Sequence, residues 1–317
     1  MRSPRVEHRG KLPLIDAVIA LPLPDRRELA GYLGPFRLEG MWQVKSRHPM
    51  VFGYSALVAE PDGRLLAFND SGDTLSFAPP GVAGTKPRAN WIRFERKAAN
   101  KSARDVESAT RDPATGGYWV GLEGRNSIVR LSPKLAATGE VAPTGMRGWG
   151  VNTGPEALSR LPDGRFVTIR EIPPTLIEPR LHDAVLFAGD PIEHPHGQPF
   201  RFDGPDNFSV VDMTLLPDGR ALILMRRLLW PFPLRFAGRI VIADTRRIRP
   251  GRTWHSVPLA SLASVLPVDN FEAIAAVPQP DGRITIWVMS DDNMMRVLQR
   301  TLLWKLTVDP KRLPWPE

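Results

Sequence analysis

The sequence contains no cysteine, and this absence excludes disulfide bonds, thiolate metal ligands and a cysteine nucleophile. It also lacks an unbroken apolar run of the ~20 residues that a membrane-spanning helix needs. The two longest apolar stretches are interrupted, residues 14–23 by Asp16 and residues 221–234 by Arg226 and Arg227. We therefore predict no integral membrane segment.

Two sequence signatures of enzymes are also missing. There is no Gly-x-Ser-x-Gly motif, which argues against the serine site of an α/β-hydrolase. There is no glycine-rich phosphate loop ahead of a helix.

The 42 Lys and Arg residues outnumber the 34 Asp and Glu residues, and a basic balance attracts anions. Because these cations are spread along the chain rather than clustered, we predict no nucleic-acid partner.

The chain is rich in turn-forming residues, with 33 prolines and 26 glycines. The tetrapeptide Pro-Asp-Gly-Arg occurs four times, and a variant, DPATGG, occurs once. These turns start at residues 61, 112, 162, 217 and 280, so about fifty to sixty residues separate them. Apolar and β-branched segments flank each turn. The pattern therefore predicts one hairpin that is repeated five times.

Each repeat has room for two further strands, and four strands make one propeller blade. We predict an all-β fold, a β-propeller of four-stranded blades. Five blades are favoured, and six are possible if a diverged blade lies within residues 170–210. Residues 36–44 resemble a strand that completes the last blade and closes the ring. We expect residues 1–30 to be an N-terminal extension, residues 31–317 to form a single propeller domain, and the protein to be a monomer.

Polar residues recur where the first strand of each hairpin begins and where the second strand ends. A hairpin brings these two ends together, opposite its turn, and all blades of a propeller share one orientation. The sequence therefore predicts a polar ring at one mouth of the central channel. Its predicted members are Asp70, Asp105, Glu107, Glu123, Glu156, Glu171, Asp212, Glu272, Asp291 and Asp292, with Arg104, Arg170 and Arg226 as cations.

Clustered carboxylates repel one another unless a cation neutralises them, and Ca²⁺ does so through oxygen ligands. The predicted metal ligands are Asp70, Asp105, Glu107, Glu123, Glu156, Glu272, Asp291 and Asp292. A bound metal ion can polarise an ester and activate water. The predicted catalytic residues are Glu107, Glu156, Glu272 and Asp212, and the predicted substrate-binding residues are Arg104, Arg170 and Arg226. The expected partner is a small anionic or ester substrate.

Three alternatives stay open at this point. The mouth could bind a ligand or a protein without catalysis, because a fold does not determine function. It could belong to a calcium-dependent lactonase-type propeller. The acidic strand ends could also simply be solvated.

Five stretches of sequence resemble the phytase-like β-propeller family, often described as "esterase-like activity of phytase". They are RDVESA (104–109), NTGPEAL (152–158), VDM (211–213), DNFEAI (269–274) and SDDN (290–293). The resemblance implies a propeller, hydrolysis of phosphate or other esters, and calcium as in the related true phytases. It also implies a bacterial protein that is periplasmic or secreted. If no export signal was removed, a soluble cytoplasmic protein is expected instead.

Overall fold

A computed structural model describes residues 12–94, 104–229, 235–262, 266, 268–293, 295 and 298–317. It is all-β, with 49% strand and 7% helix, and it contains five four-stranded blades in a propeller ring. Both the predicted fold class and the favoured blade number are confirmed. In the described part of the chain, no helix is both long and apolar enough to span a bilayer.

The elements are, in chain order, β1 (Ala17–Ala20), α1 (Arg26–Leu33), β2 (Arg37–Lys45), β3 (Tyr54–Ala59), β4 (Leu65–Asn69), β5 (Asp73–Phe77), β6 (Arg88–Trp91), β7 (Val106–Arg111), β8 (Tyr118–Leu122), β9 (Ser127–Leu131), β10 (Ala137–Val141), β11 (Pro155–Arg160), β12 (Phe166–Arg170), β13 (Leu181–Phe187), β14 (Gln198–Asp203), β15 (Ser209–Leu215), β16 (Arg220–Leu229), β17 (Arg235–Asp244), β18 (Thr253–His255), β19 (Val257–Leu262), β20 (Asn270–Pro278), β21 (Ile284–Asp291) and β22 (Thr301–Val308).

The strands form five separate sheets, one for each blade. Blade 1 is β3–β6, blade 2 is β7–β10 and blade 3 is β11–β14, with β18 added in parallel beside β14. Blade 4 contains β15, β16, β17 and β19. The innermost strands β3, β7, β11, β15 and β20 contact one another in sequence around the channel, and β20 returns to β3. Residues 170–210 supply strands of blade 3 and the start of blade 4, so they hold no sixth blade.

Blade 5 is assembled from both ends of the chain. Its strands β20, β21 and β22 come from the C-terminal region, and β2 pairs antiparallel with β22 from Arg37 opposite Thr307 to Val44 opposite Thr301. The predicted closure of the ring is thus observed. β1 adds a fifth strand outside β2, and the boundary predicted after residue 30 falls inside α1. Residues 1–11 of the predicted extension lie outside the described residues.

The repeated turn has the same geometry in four blades. Its aspartate accepts the backbone N–H of the arginine two residues later, at 3.0–3.1 Å. Its glycine has a φ between 80° and 88°, a backbone conformation that would be strained for a residue with a side chain. These turns close the β3–β4, β11–β12, β15–β16 and β20–β21 hairpins, so they all lie at one end of the channel, which we call the turn end.

Apolar side chains fill the space between neighbouring blades, with one buried cluster at each of the five interfaces. Between blades 2 and 3, for example, Trp119 meets Phe166 edge to face, with ring centroids 4.7 Å apart. The second strands β4, β8 and β21 pack on both faces, so they are buried along their whole length. This packing leaves the polar residues at the ends of the innermost strands, around the channel.

Candidate functional site

Each innermost strand carries a β-bulge near its start. The register of the innermost hairpin shifts once in each blade, and the residue skipped by the pairing is Ser55, Glu107, Glu156, Val211 or Glu272. A bulge places two residues opposite one and re-aims a side chain. These bulges lie at the end of the channel opposite the turns, which we call the bulge end. Four of the skipped residues are polar, whereas Val211 of blade 4 packs in the apolar cluster between blades 4 and 5.

Carboxylates from two blades converge at the bulge end. One oxygen from each of Asp105, Glu107 and Glu123 lies within 4.8 Å of the others, and the same holds for Glu123, Glu156 and Glu171. Glu123 belongs to both groups, so the two are continuous. Glu123 directly follows β8 and accepts the backbone N–H of Gly154 at 3.4 Å, which ties blade 2 to blade 3. We call these five residues the carboxylate cluster.

Blade 4 supplies the cation beside this cluster, Arg226 of β16, and blade 5 supplies partners that hold it. The Arg226 guanidinium donates to Glu272 and, at 2.6 Å, to Asn270, while its other terminal nitrogen donates to Glu171 at 3.2 Å. Asn270 also donates to Glu272 at 2.6 Å. Arg226 thus connects the carboxylate cluster to blade 5, and its positive charge offsets only part of the surrounding negative charge.

Removal from water and mutual repulsion raise the pKa values of these acids. Burial raises the pKa of Glu123 to about 7 and that of Glu272 to about 8, although Arg226 acts in the opposite direction on both. Burial and the neighbouring carboxylates also raise the pKa of Glu107 and of Glu156 well above the usual range. Burial raises the pKa of Asp291 to about 7. The protein alone therefore leaves negative charge here that is incompletely neutralised.

The sequence model of one family, described as "Phytase-like: Esterase-like activity of phytase", matches residues 49–294. The chain belongs to this family. The match covers the four hairpins of blades 1–4, the β20–β21 hairpin of blade 5 and every residue of the carboxylate cluster. No curated protein sequence matches the chain.

Three solved structures are similar to the chain at 11–13% sequence identity, all with TM-scores between 0.43 and 0.48. Hydrazine synthase of Kuenenia stuttgartiensis (13% identity, TM-score 0.43) covers 77% of this chain, which spans 66% of that protein. The match to glutaminyl cyclase of Myxococcus xanthus (11% identity, TM-score 0.48) covers 86% of this chain and 97% of the cyclase. The match to the gluconolactonase XC5397 of Xanthomonas campestris (12% identity, TM-score 0.45) covers 96% of this chain and 99% of the lactonase. None of these similarities is close enough to transfer an activity.

Some predicted ring residues lie at the edge of the site or face elsewhere. Arg170 bonds to Asp183 at 3.4 Å and Thr153 at 3.2 Å. Asp212, one residue beyond its bulge, accepts the backbone N–H groups of Met213 and Ile274 at 2.8 and 2.7 Å. Asp212 therefore links the innermost strands of blades 4 and 5.

Asp70, Asp292 and Arg104, which were also predicted, are not members of the carboxylate cluster. Asp70 accepts a hydrogen bond from the Ser71 hydroxyl at 2.9 Å, and its charge raises the pKa of Asp291. Burial and, to a smaller extent, the charge of Asp292 raise the pKa of Asp269, which lies 3.8 Å from the Arg300 guanidinium. Arg104 is exposed ahead of β7. The roles predicted for all these residues stay predictions.

Two side chains gain importance from the structure. Glu171, rather than its neighbour Arg170, joins the carboxylate cluster, and Asn270 holds Arg226 and Glu272 together. Alternation could have indicated the first point, because consecutive strand residues face opposite sides. Arg226 and Arg227 follow the same rule, since Arg227 lies over the ring of Phe208 at 5.2 Å. Asn270 lies within the DNFEAI stretch, but the sequence alone assigned it no role.

Proposed function

We propose that the protein is a metal-assisted hydrolase of esters or phosphoesters, with its site at the bulge end of the channel. The observation that carries this proposal is the convergence of five carboxylates, joined through Glu171 to a single guanidinium at Arg226. Family membership supports the reaction class, because the family is described by an esterase-like activity. The preferred substrate is a small ester or phosphoester, and a lactone is a cyclic member of the same class.

The residues present fit a calcium ion. Every donor in the carboxylate cluster is an oxygen, which is the ligand type that Ca²⁺ prefers. The raised pKa values of Glu107, Glu123 and Glu156 indicate that the ionised carboxylates lack nearby positive charge. A bound divalent cation would supply it. Asp105, Glu107 and Glu123 would form one side of such a site, and Glu156 and Glu171 the other.

A bound calcium ion would supply Lewis-acid polarisation of the ester or phosphoryl oxygen. The chain itself orients the ligands. Ser55 donates a hydrogen bond to Glu107, the Gly154 N–H donates to Glu123, and Arg226 holds Glu171. These bonds come from four blades, so the ring of the propeller rather than any single hairpin sets the spacing of the carboxylates.

Calorimetric titration of chelator-treated protein with CaCl₂ tests the metal, and hydrolysis of p-nitrophenyl phosphate, p-nitrophenyl acetate and a sugar lactone tests the reaction. We expect calcium binding to release protons, because acids with raised pKa values must ionise to act as ligands. Glu123→Gln, which alters both carboxylate groups, should weaken calcium binding by at least about tenfold.

The matched control is Glu178→Gln, which removes an exposed carboxylate outside the cluster and should leave calcium affinity unchanged. Calcium-dependent turnover of any one substrate that is lost in Glu123→Gln supports the hydrolase. Calcium binding without turnover of all three substrates would favour a non-catalytic binding propeller. Absence of both binding and turnover would remove the proposal altogether.

A further inference from the structure

The turn end of the channel, opposite the carboxylate cluster, contains a cavity of about 330 Å³. Residues from all five innermost strands line it. Its volume falls within the range of roughly 300–1,000 Å³ that is typical of small-molecule sites. The repeated turns alone gave no indication of a binding site here.

The charge of this cavity is opposite to that of the bulge end. Its lining includes Arg111 and Arg160, on the neighbouring strands β7 and β11, and no acidic residue. The two arginines are close because the Thr110 hydroxyl accepts the backbone N–H of Arg160 at 3.2 Å. Arg111 also hydrogen-bonds to Tyr118, whose hydroxyl donates to Glu60. An anion in the cavity therefore meets the guanidinium of Arg160, with the positive charge of Arg111 beside it.

Arg160 is poorly satisfied by the protein. Its side chain is 28% exposed, and its ion pair, with Asp112, is long at 3.9 Å. Among the described residues no side-chain hydrogen bond from Arg160 is formed, whereas Arg165, in the adjoining turn, donates to Asp163 at 2.8 Å. A guanidinium has five N–H donors in a planar fork that matches a carboxylate or a phosphate. Arg160 thus has donors available for a ligand in the cavity.

Hydroxyl groups and apolar walls complete the lining. Thr110 and Thr214 each accept a backbone N–H, from Arg160 and Ala276, and each hydroxyl hydrogen remains as a donor. Apolar side chains, Leu57 among them, line the rest. The combination suits a ligand that has one oxyanion group and a small apolar body.

A second cavity, of about 720 Å³, opens beside the first and shares Arg111 with it. It lies between blades 1 and 5, where Lys305 is 5.8 Å from the centre of the Trp287 ring. This neighbouring space can take a substituent larger than the first cavity holds. Its lining carries both signs of charge, with Glu60 and Asp62 opposed by Arg111 and Lys305, so the substituent there need not be anionic.

We propose that the turn end of the channel is a second binding site, which takes a small organic anion through Arg111 and Arg160. The recognised group is an oxyanion, either a carboxylate or a phosphate monoester, and its apolar body lies against the innermost strands. The site is independent of the hydrolase site, because none of its residues belongs to the carboxylate cluster.

The test is calorimetric titration of the full chain with benzoate, phenyl phosphate and, as the neutral analogue, benzyl alcohol. We expect saturable binding of at least one anion, no binding of benzyl alcohol, and weaker binding as sodium chloride is raised. Arg160→Gln and Arg111→Gln should each lower the affinity by about tenfold or more, the loss typical of a charged hydrogen bond. Arg165→Gln, the matched control, should bind like the wild type.

Binding of benzoate alone would assign the site to carboxylates, and binding of phenyl phosphate alone would assign it to phosphate monoesters. Glu123→Gln should leave anion binding unchanged, which separates this site from the hydrolase site. If Arg160→Gln does not fold, Arg160→Lys and the salt dependence replace it. The proposal would be overturned if neither anion binds, or if both Arg160→Gln and Arg111→Gln bind the anion as tightly as the wild type. Loss of anion binding in Glu123→Gln would also overturn it.

Discussion

The arginine of the repeated turn lies in very different surroundings in blades 3 and 4, which provides a matched pair of substitutions. Arg165 pairs with Asp163 of its own turn at 2.8 Å, and the Asp163 side chain is 53% exposed. The Arg220 side chain is only 2% exposed. It donates to the backbone carbonyls of Pro310, Leu313 and Pro314 at 2.8, 2.7 and 2.9 Å.

The expected losses of stability follow from these contacts. A hydrogen bond to a charged group contributes about 1.5–3 kcal/mol to stability. In Arg220→Ala, the three backbone carbonyls can bind water instead, which offsets part of the loss. Arg220 also lies over the ring of Trp315 at 4.4 Å. We therefore expect Arg220→Ala to cost about 3–5 kcal/mol, near the upper end for single substitutions. Arg165→Ala removes a solvent-exposed ion pair and should cost no more than about 0.5 kcal/mol.

Equilibrium unfolding in urea, followed by tryptophan fluorescence and circular dichroism, measures both losses. Carboxypeptidase digestion adds an independent readout, because Arg220 fastens the C-terminal residues and its loss should speed their removal. Arg165→Ala should digest like the wild type. If the two variants differ by less than about 1 kcal/mol, or digest at the same rate, then burial against the C-terminal segment does not distinguish the two arginines and the reasoning is wrong.

Three further predictions concern buried polar groups. Asp212→Ala should lower the free energy of unfolding in urea by about 2–4 kcal/mol, because it deprives several backbone N–H groups of their acceptor. Thr214→Val removes the acceptor of a single backbone N–H and should lower it by about 1 kcal/mol. Equal losses in the two variants would contradict this reasoning. Burial lowers the pKa of His182 from 6.5 to about 4, so its folded state stays neutral while the unfolded chain takes up a proton. The wild type should therefore lose about 2–3 kcal/mol of unfolding free energy relative to His182→Gln as the pH falls from 6.5 towards 4, and parallel pH profiles would refute it. Arg226→Met should raise the pKa of Glu272 further above about 8, seen as proton release at higher pH in potentiometric titration of chelator-treated protein, and an unchanged titration would show that Arg226 does not act on Glu272.

The inner hairpins were predictable because their signal is local. A turn of Pro-Asp-Gly-Arg determines its own backbone geometry, and the positive φ of Gly63 or Gly164 requires no distant contact. Outer strands were less accessible. β6 (Arg88–Trp91) has no alternating apolar pattern, and β18 crosses from blade 4 to pair with β14 of blade 3. Such strands are placed by their neighbours rather than by their own composition.

At the site, sequence identified the right strand ends but not which of two adjacent residues faces the channel. Glu171 joins the carboxylate cluster while Arg170 turns to Asp183, because the side chains of consecutive residues alternate between faces. Asp212 stands one position beyond the bulge, so it bonds the neighbouring strand instead of joining the cluster. A single-residue shift in register thus separates a candidate ligand from a structural acceptor.

The sequence by itself determined the propeller, the closure of blade 5 by the N-terminal strand, and the end of the channel at which the carboxylates gather. Turn residues and repeat spacing are local features of the sequence, so they can be identified without knowledge of tertiary contacts. Only the tertiary structure decided that Glu123 joins two carboxylate groups, that Arg226 lies beside them, and that Arg111 and Arg160 share a cavity at the opposite end. Those relations join residues of different blades. Their distances depend on how the blades pack around the ring, which the periodicity within one blade does not contain.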